Sequence, residues 1–212
     1  MLTQEELSRM KQRKIVARSS LQFFKDVKRV LSPNKQPRRQ EMRYGAGILK
    51  QRAQVVTDYR NEYPISVMNA FDNAASTGLG NSLEKSSIVY SSLSCNPRIL
   101  HDSLIHMCEC HGYDDHMFVI ITDKCLRNVL QGFFKLAALS VTTMVVDAWS
   151  GDYYFPNVNR WMESENGIHS PDTATTFMAD VRYWCKTSTL AVYKMPLVDD
   201  SYRDAINYPC LG

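Results

Sequence analysis

The stretch from Asn96 to Gly151 constrains the fold more than any other part of the sequence. It contains four of the five histidines and three of the six cysteines, and it predicts a helix, a strand and a long helix in succession. Asn96 and Pro97 suit the start of a helix, where Asn caps free N–H groups and Pro loses no hydrogen bond. Gly112 suits its end, because a left-handed residue often terminates a helix. We therefore expect the first helix between Asn96 and Gly112.

The segment from His116 to Thr122 is a short, continuous apolar run rich in β-branched residues, which is typical of a buried strand. Asp123 would then cap a second helix that ends near Trp149 and has a broad apolar face. Charged residues interrupt this helix, and its longest uncharged run is far shorter than the roughly 20 residues that cross a bilayer. We expect a helix enclosed by protein and no membrane span.

Regular elements are also predicted on both sides of this stretch. Helices are expected over residues 3–31, 40–59, 67–75 and after Ser170, and strands over residues 87–93, 152–155 and 187–195. The alternation of strands and helices predicts a helix-rich α+β fold, with a small mixed sheet packed against helices and a two-helix N-terminal arm before it. An α/β fold is the alternative.

Charge is distributed unevenly along the chain. Residues 1–60 contain 15 Lys and Arg against 5 Asp and Glu, whereas residues 61–212 contain 10 against 17. Residues 32–39 contain two prolines and no apolar side chain, which is typical of a hinge. We expect a basic helical arm over residues 1–60 and a compact α+β domain over residues 61–212. The first helix would pack on the domain or on a partner helix.

A basic arm is typical of a protein that contacts an anionic partner, because Lys and Arg neutralise phosphates and release counterions. The leading hypothesis is a non-enzymatic structural or assembly protein, an oligomer or part of a complex. Its arm would contact nucleic acid or neighbouring subunits in a larger particle, such as a virion, a phage junction or a ribonucleoprotein. One alternative is a regulatory module whose arm binds a protein. The candidate contacts are Lys11, Arg13, Lys14, Arg18, Arg38, Arg39, Arg43, Lys50 and Arg52.

Histidines and cysteines are concentrated between residues 106 and 116, where they could hold zinc in a tetrahedral site. Their spacing matches no standard zinc motif, and the sequence has no CxxC pair. A Cys–His pair such as Cys110 with His106, or Cys108 with His111, could instead activate a thiolate. The second hypothesis is therefore a metal- or thiol-dependent enzyme. The potential ligands are His106, Cys108, Cys110, His111 and His116.

The alternative to both kinds of site is a packed core, because a free Cys is often a buried, small apolar side chain. Asp147 and Asp152, on either side of Trp149, could form a carboxylate pair, although charges at a helix end explain them equally well. The sequence contains no GxSxG, P-loop or GxGxxG motif.

The cysteines are unevenly spaced and no secretion signal is recognisable, so a reducing intracellular compartment is expected. A location within a virion fits the assembly hypothesis. The first helix is basic and amphipathic, as mitochondrial transit peptides are, but Glu5 and Glu6 argue against import because such peptides are poor in acidic residues.

Overall fold

The computed structural model describes residues 2–27, 37–63, 66–99, 102–111, 116–123, 126, 133–158, 181–183, 185 and 187–192. Its α-helices are α1 (Gln4–Val27), α2 (Pro37–Glu62), α3 (Val67–Thr77) and α4 (Ser82–Ser94). Its strands are β1 (Leu104–His111), β2 (Met117–Thr122), β3 (Phe133–Phe134), β4 (Met144–Asp147), β5 (Asp152–Tyr154) and β6 (Thr189–Val192), with a short 3-10 helix at Leu136–Ala138.

The strands form one sheet in the order β3-β6-β1-β2-β4-β5. Every pairing between these strands is antiparallel, rather than mixed as the sequence suggested. The helix-rich α+β class predicted from the sequence is confirmed. Within the described ranges, no helix combines the length and the apolar character that crossing a bilayer requires.

The sheet is buried on both faces. One face packs against α1 and α4, with Met107, Val119 and Val146 of the sheet in the same apolar cluster as Ala17 and Ile88. The other face forms a second cluster that includes residues of the segment before β6. Residues two apart on a strand share a face, so the second cluster takes alternate residues of β1, β2 and β4. The members of this cluster that matter for the site are Cys108, Cys110, Phe118, Ile120, Val145, Tyr154 and Cys185.

Several of the predicted elements are confirmed. The predicted helices near residues 3–31, 40–59 and 67–75 correspond to α1, α2 and α3. The predicted strands at 116–122, 152–155 and 187–195 correspond to β2, β5 and β6. The expected helix after Ser170 lies mostly outside the described residues. Residues 181–183, 185 and 187 are helical, where that helix was expected to end.

Three predicted elements are wrong. The expected helix between Asn96 and Gly112 is instead a turn followed by β1, which has strand partners on both sides because it lies between β6 and β2. The Asn96 side chain accepts a hydrogen bond from the backbone N–H of Arg98, so this cap-forming residue stabilises a turn. In the described part of residues 123–149, β3, the 3-10 helix and β4 lie where the long helix was expected, and Asp123 pairs with Arg9.

The expected strand at residues 87–93 is part of α4. The helix begins with a capping arrangement in which the backbone N–H of Asn81 donates to Glu84 Oε2 at 2.9 Å. Ile88 and Val89 are both fully buried, although they lie 100° apart on the helix. Burial around so much of the helix hides the helical periodicity, so the β-branched content alone predicted a strand.

The first helix packs into the domain. Met10, Val16, Ala17 and Leu21 of α1 belong to the apolar cluster shared with α4 and the sheet. Arg13 is fully buried, and its guanidinium donates to the carbonyl oxygen of Thr142 at 2.6 Å and forms an ion pair with Asp123. The basic charge of this position is therefore directed inward.

Candidate thiol and histidine site

Four polar residues lie on neighbouring strands at one end of the sheet. Cys110 is near the end of β1, His116 immediately precedes β2, Asp147 ends β4 and Asp152 begins β5. The backbone N–H of Cys110 donates to the carbonyl oxygen of His116 at 3.0 Å, and Asp147 is paired with Asp152 across β4 and β5. We call these four residues the polar row.

His116 and Asp147 form a buried pair at the centre of the polar row. His116 Nε2 lies 3.0 Å from Asp147 Oδ2. The other carboxylate oxygen, Oδ1, accepts hydrogen bonds from the backbone N–H groups of Trp149 at 2.8 Å and Ser150 at 3.3 Å. The imidazole also lies against the Trp149 ring, with 5.2 Å between ring centroids. The carboxylate is thus fixed on one side by the backbone and presents its other oxygen to the imidazole.

The charges of this pair depend on each other. Burial alone would raise the pKa of Asp147, but the charge of His116 and the hydrogen bonds to the carboxylate lower it below its usual value. Burial alone would lower the pKa of His116, but the charge and the hydrogen bond of Asp147 raise it above its usual value. An Asp that orients a His and favours its protonated form is the arrangement found beside activated nucleophiles.

The thiols of Cys110 and Cys185 lie within hydrogen-bond distance of each other. A hydrogen bond from Cys185 lowers the pKa of Cys110, and the charge of His116 lowers it further, against the opposing effect of burial. The same thiol pair and burial raise the pKa of Cys185 well above its usual value. The two pKa shifts are opposite in direction, so Cys110 is the more acidic of the two thiols.

An ion pair closes the other end of the polar row. Arg182 donates from Nε to Asp152 Oδ2 at 2.6 Å and from a terminal nitrogen to Oδ1 at 2.9 Å. The guanidinium also lies over the ring of Tyr154, 4.5 Å from its centroid. A forked Arg–carboxylate pair of this kind fixes the orientation of the groups it touches.

The predicted metal ligands are only partly brought together. His106, Cys108 and Cys110 are alternate residues of β1, His111 is its last residue, and His116 lies across from Cys110. His106 Nε2 accepts a hydrogen bond from the backbone N–H of Leu126 at 3.5 Å, and burial raises the pKa of the Cys108 thiol well above its usual value. Among the residues with described positions, no three His, Cys, Asp or Glu side chains form a group that could hold a metal ion.

The two Cys–His pairs suggested by helical spacing are not formed. Residues three and four apart on a strand are separated by about 10 Å and 13 Å, because a strand rises about 3.3 Å per residue. Positions 106 and 110 are therefore too far apart for a side-chain pair, and positions 108 and 111 lie on opposite faces of β1. The histidine opposite Cys110 is His116, whose backbone carbonyl accepts the Cys110 N–H.

The candidate polyanion contacts lie on α1 and α2. On α1, Lys11 and Arg18 are exposed, Lys14 is half-buried and Arg13 is buried. On α2, Lys50 is exposed and Arg52 is half-buried, while the side chains of Arg38, Arg39 and Arg43 lie outside the described residues.

Sequence reasoning found part of this site. His116 and Cys110 were recognised as candidates because His and Cys cluster along that stretch, and Asp147 and Asp152 were noted as a carboxylate pair. Cys185 and Tyr154 were missed because nothing in their local sequence distinguishes them from core residues. Only the pairing of β1 with β6 and of β4 with β5 brings them to the polar row.

No protein-family model, curated protein or solved structure matches this chain.

Proposed function

We propose that this chain is a thiol-dependent enzyme of the hydrolase or acyl-transfer class. Cys110 is the nucleophile, His116 the general base and Asp147 the residue that orients the imidazole. The observation that carries the proposal is the buried contact of 3.0 Å between His116 Nε2 and Asp147 Oδ2, next to Cys110 on the adjacent strand β1.

The chemistry follows from the roles of these groups. With Nε2 directed to Asp147, the other ring nitrogen of His116 can accept the thiol proton. The Cys110 thiolate then attacks the carbonyl carbon of an acyl group, and the resulting imidazolium is stabilised by Asp147. His116 returns the proton to the leaving group, and water or another acceptor takes the acyl group from the thiol in a second step.

The test uses p-nitrophenyl acetate as a minimal acyl donor and the full chain with single substitutions. C110S and H116Q are expected to lose acylation, and D147N to reduce it by about a thousandfold or more. The matched control is C95S, because Cys95 is an exposed cysteine remote from the polar row in sequence. Elemental analysis of the same preparation tests the zinc alternative. Acylation that survives C110S unchanged would contradict the proposal.

We propose a second candidate function, polyanion binding by α2 within a larger assembly. Positions 39, 43 and 50 of this 26-residue helix lie within about 40° of one another around its axis, at 100° per residue. All three carry a basic residue, and a single basic sector can follow a phosphate backbone.

Two double variants test this second function, and each removes two positive charges from one helix. R39A/R43A on α2 should weaken binding to a DNA duplex and lower the slope of log affinity against log salt by about 2. K11A/R18A on α1 should leave that slope near the value of the unmodified chain. Equal slopes in the two variants would contradict the assignment to α2.

A further inference from the structure

Trp149 contacts both members of the His116–Asp147 pair. Its backbone N–H donates to Asp147 Oδ1 at 2.8 Å. Its ring lies against the imidazole of His116, with 5.2 Å between ring centroids and 55° between ring planes. The proposed acyl transfer assigns no role to Trp149, although this single residue touches the proposed base and the carboxylate that orients it.

The turn between β4 and β5 fixes the position of the Trp149 ring. Asp147 ends β4 and Asp152 begins β5, and these two residues are paired across the strands. Within the turn, Asp147 Oδ1 accepts the backbone N–H groups of Trp149 and Ser150. Gly151 completes the turn with a φ of 71°, a left-handed conformation that glycine adopts without strain. The backbone that carries the indole is therefore held by the two strands and by the carboxylate itself.

The imidazole of His116 is enclosed by polar and aromatic groups. Its Nε2 lies 3.0 Å from Asp147 Oδ2, and the ring of Phe118, two residues further on, lies 6.0 Å away between centroids. Among the described residues, the titratable groups that act on it are Asp147 on β4 and Cys110 on β1. His116 is only 7% exposed, so water contributes little to stabilising a charge on its ring.

An indole ring in this position favours the charged form of the imidazole. The face of an aromatic ring attracts a cation that lies within about 6 Å, most strongly for Trp and where water is excluded. The 5.2 Å between the rings of Trp149 and His116 is within that range, and His116 is buried. Once His116 has accepted a proton, the indole acts on the cation together with the carboxylate of Asp147.

We infer that Trp149 is a positioning residue for His116: its ring stabilises the protonated imidazole, while its backbone N–H holds the carboxylate that the imidazole contacts. The catalytic consequence of this inference rests on the proposed thiol chemistry. When His116 takes the proton from the Cys110 thiol, an imidazolium forms in a buried site. Stabilisation of that imidazolium by Trp149 favours the thiolate, which is the attacking group.

The pKa of His116, measured by NMR from the pH dependence of its imidazole Hε1 signal, tests this role. The signal is assigned by its absence from H116Q. W149L removes the aromatic ring but keeps an apolar side chain, and it should lower the pKa of His116 by about 0.5 to 1 unit. W149F keeps a smaller aromatic ring and should lower this pKa by less. The control is F23L, an exposed position on α1 at the other face of the sheet, which should leave the pKa unchanged.

Acylation of the same variants by p-nitrophenyl acetate connects the pKa to the reaction. W149L should slow acylation of Cys110 by about threefold to tenfold, the factor that corresponds to the shift in pKa. A pKa of His116 that is unchanged in W149L, or lowered equally in W149L and W149F, would overturn the inference and leave Trp149 a space-filling residue.

Two further outcomes are also decisive. If W149L does not fold, W149F decides alone, because an unchanged pKa of His116 in W149F overturns the inference. If the unmodified chain is not acylated, the proposed function fails, whereas the titration of His116 in the Trp149 variants still decides whether the indole stabilises the imidazolium.

Discussion

His116 and Asp147 are 31 positions apart in the sequence, yet Nε2 of the imidazole lies 3.0 Å from Oδ2 of the carboxylate. The pair connects the start of β2 with the end of the adjacent strand β4, and both side chains are buried. An imidazole and a carboxylate that stabilise each other's charged form in a buried setting are strongly coupled.

D147N should destabilise the protein by about 3–5 kcal/mol, the usual cost of removing one partner of a buried ion pair. The neutral amide would leave the imidazole without the charge that favours its protonated form. The measurement is urea-induced unfolding near neutral pH. The control is D72N on the exposed side of α3, which should change stability by less than about 0.5 kcal/mol. A similarly small effect of D147N would show that the pair is not formed.

Stability should depend on pH through His116. Because the folded state raises the pKa of His116, this contribution is fully present below the unfolded value of about 6.5 and is lost as pH rises through the folded pKa. H116Q should remove that loss from the stability–pH curve. Urea unfolding of both proteins between mildly acidic and alkaline pH provides the comparison, and parallel curves would argue against the assignment.

Through Asp147, the stability of the fold should decrease as the pH falls in the acidic range. Its folded pKa is lowered, so its contribution is present above the unfolded value of about 3.9 and disappears as pH falls through the folded pKa. The unmodified chain should therefore lose stability on acidification more steeply than D147N. Acid titrations followed by circular dichroism would reveal the difference, and D147N unfolding with the same steepness would count against it.

R13A should destabilise the protein by about 1–3 kcal/mol, because it leaves the buried Thr142 carbonyl without its donor and removes one of the two Arg partners of Asp123. K11A, an exposed position on the same helix, should change stability by less than about 0.5 kcal/mol. Denaturant unfolding of the two variants tests whether α1 belongs to the core. Equal stability of R13A and K11A would mean that α1 is a separable arm.

Glu84 should anchor α2 to α4. Its carboxylate is fully buried and accepts two hydrogen bonds from Arg60, at 2.8 and 2.9 Å, as well as the backbone N–H of Asn81. E84Q keeps the size but weakens these charge-assisted bonds, and we expect a loss of about 2 kcal/mol. E62Q, at the exposed end of α2, is the control. The same stability in both variants would contradict the anchor.

The sequence predicted those elements whose pattern has a single interpretation. The run from His116 to Thr122 is short, largely apolar and rich in β-branched residues, which favours a buried strand. The helical spacing of α1 is equally clear, since Met10, Ala17 and Leu21 are all buried. The fold class followed from these elements and their order.

The secondary-structure predictions were wrong where one local sequence pattern is compatible with two structures. Leu104, Met107 and Cys108 fit a helical face by spacing, yet in β1 Met107 faces one apolar cluster and Cys108 the other. Asn96 stabilises a turn as readily as it caps a helix. Such choices are decided by strand partners far along the chain, and residue spacing carries no information about them.

The same limit explains which residues of the site could be predicted from the sequence. Cys110 and His116 are close in sequence, so their clustering was visible before the fold was known. Their partners Asp147 and Cys185 come from distant strands and a distant helical segment. Sheet order determines that proximity, and sheet order was not predictable from local pattern.

The most direct test of the central claim is the pH dependence of Cys110 alkylation by iodoacetamide, followed by peptide mass spectrometry in the full chain and in H116Q. In the unmodified chain, the midpoint of the rate against pH should lie below the usual pKa of a thiol, because Cys185 and the charge of His116 favour the thiolate. In H116Q, the midpoint should move to higher pH. Superimposable profiles for Cys110 in the two proteins would show that His116 does not act on this thiol, and the proposed site would be wrong.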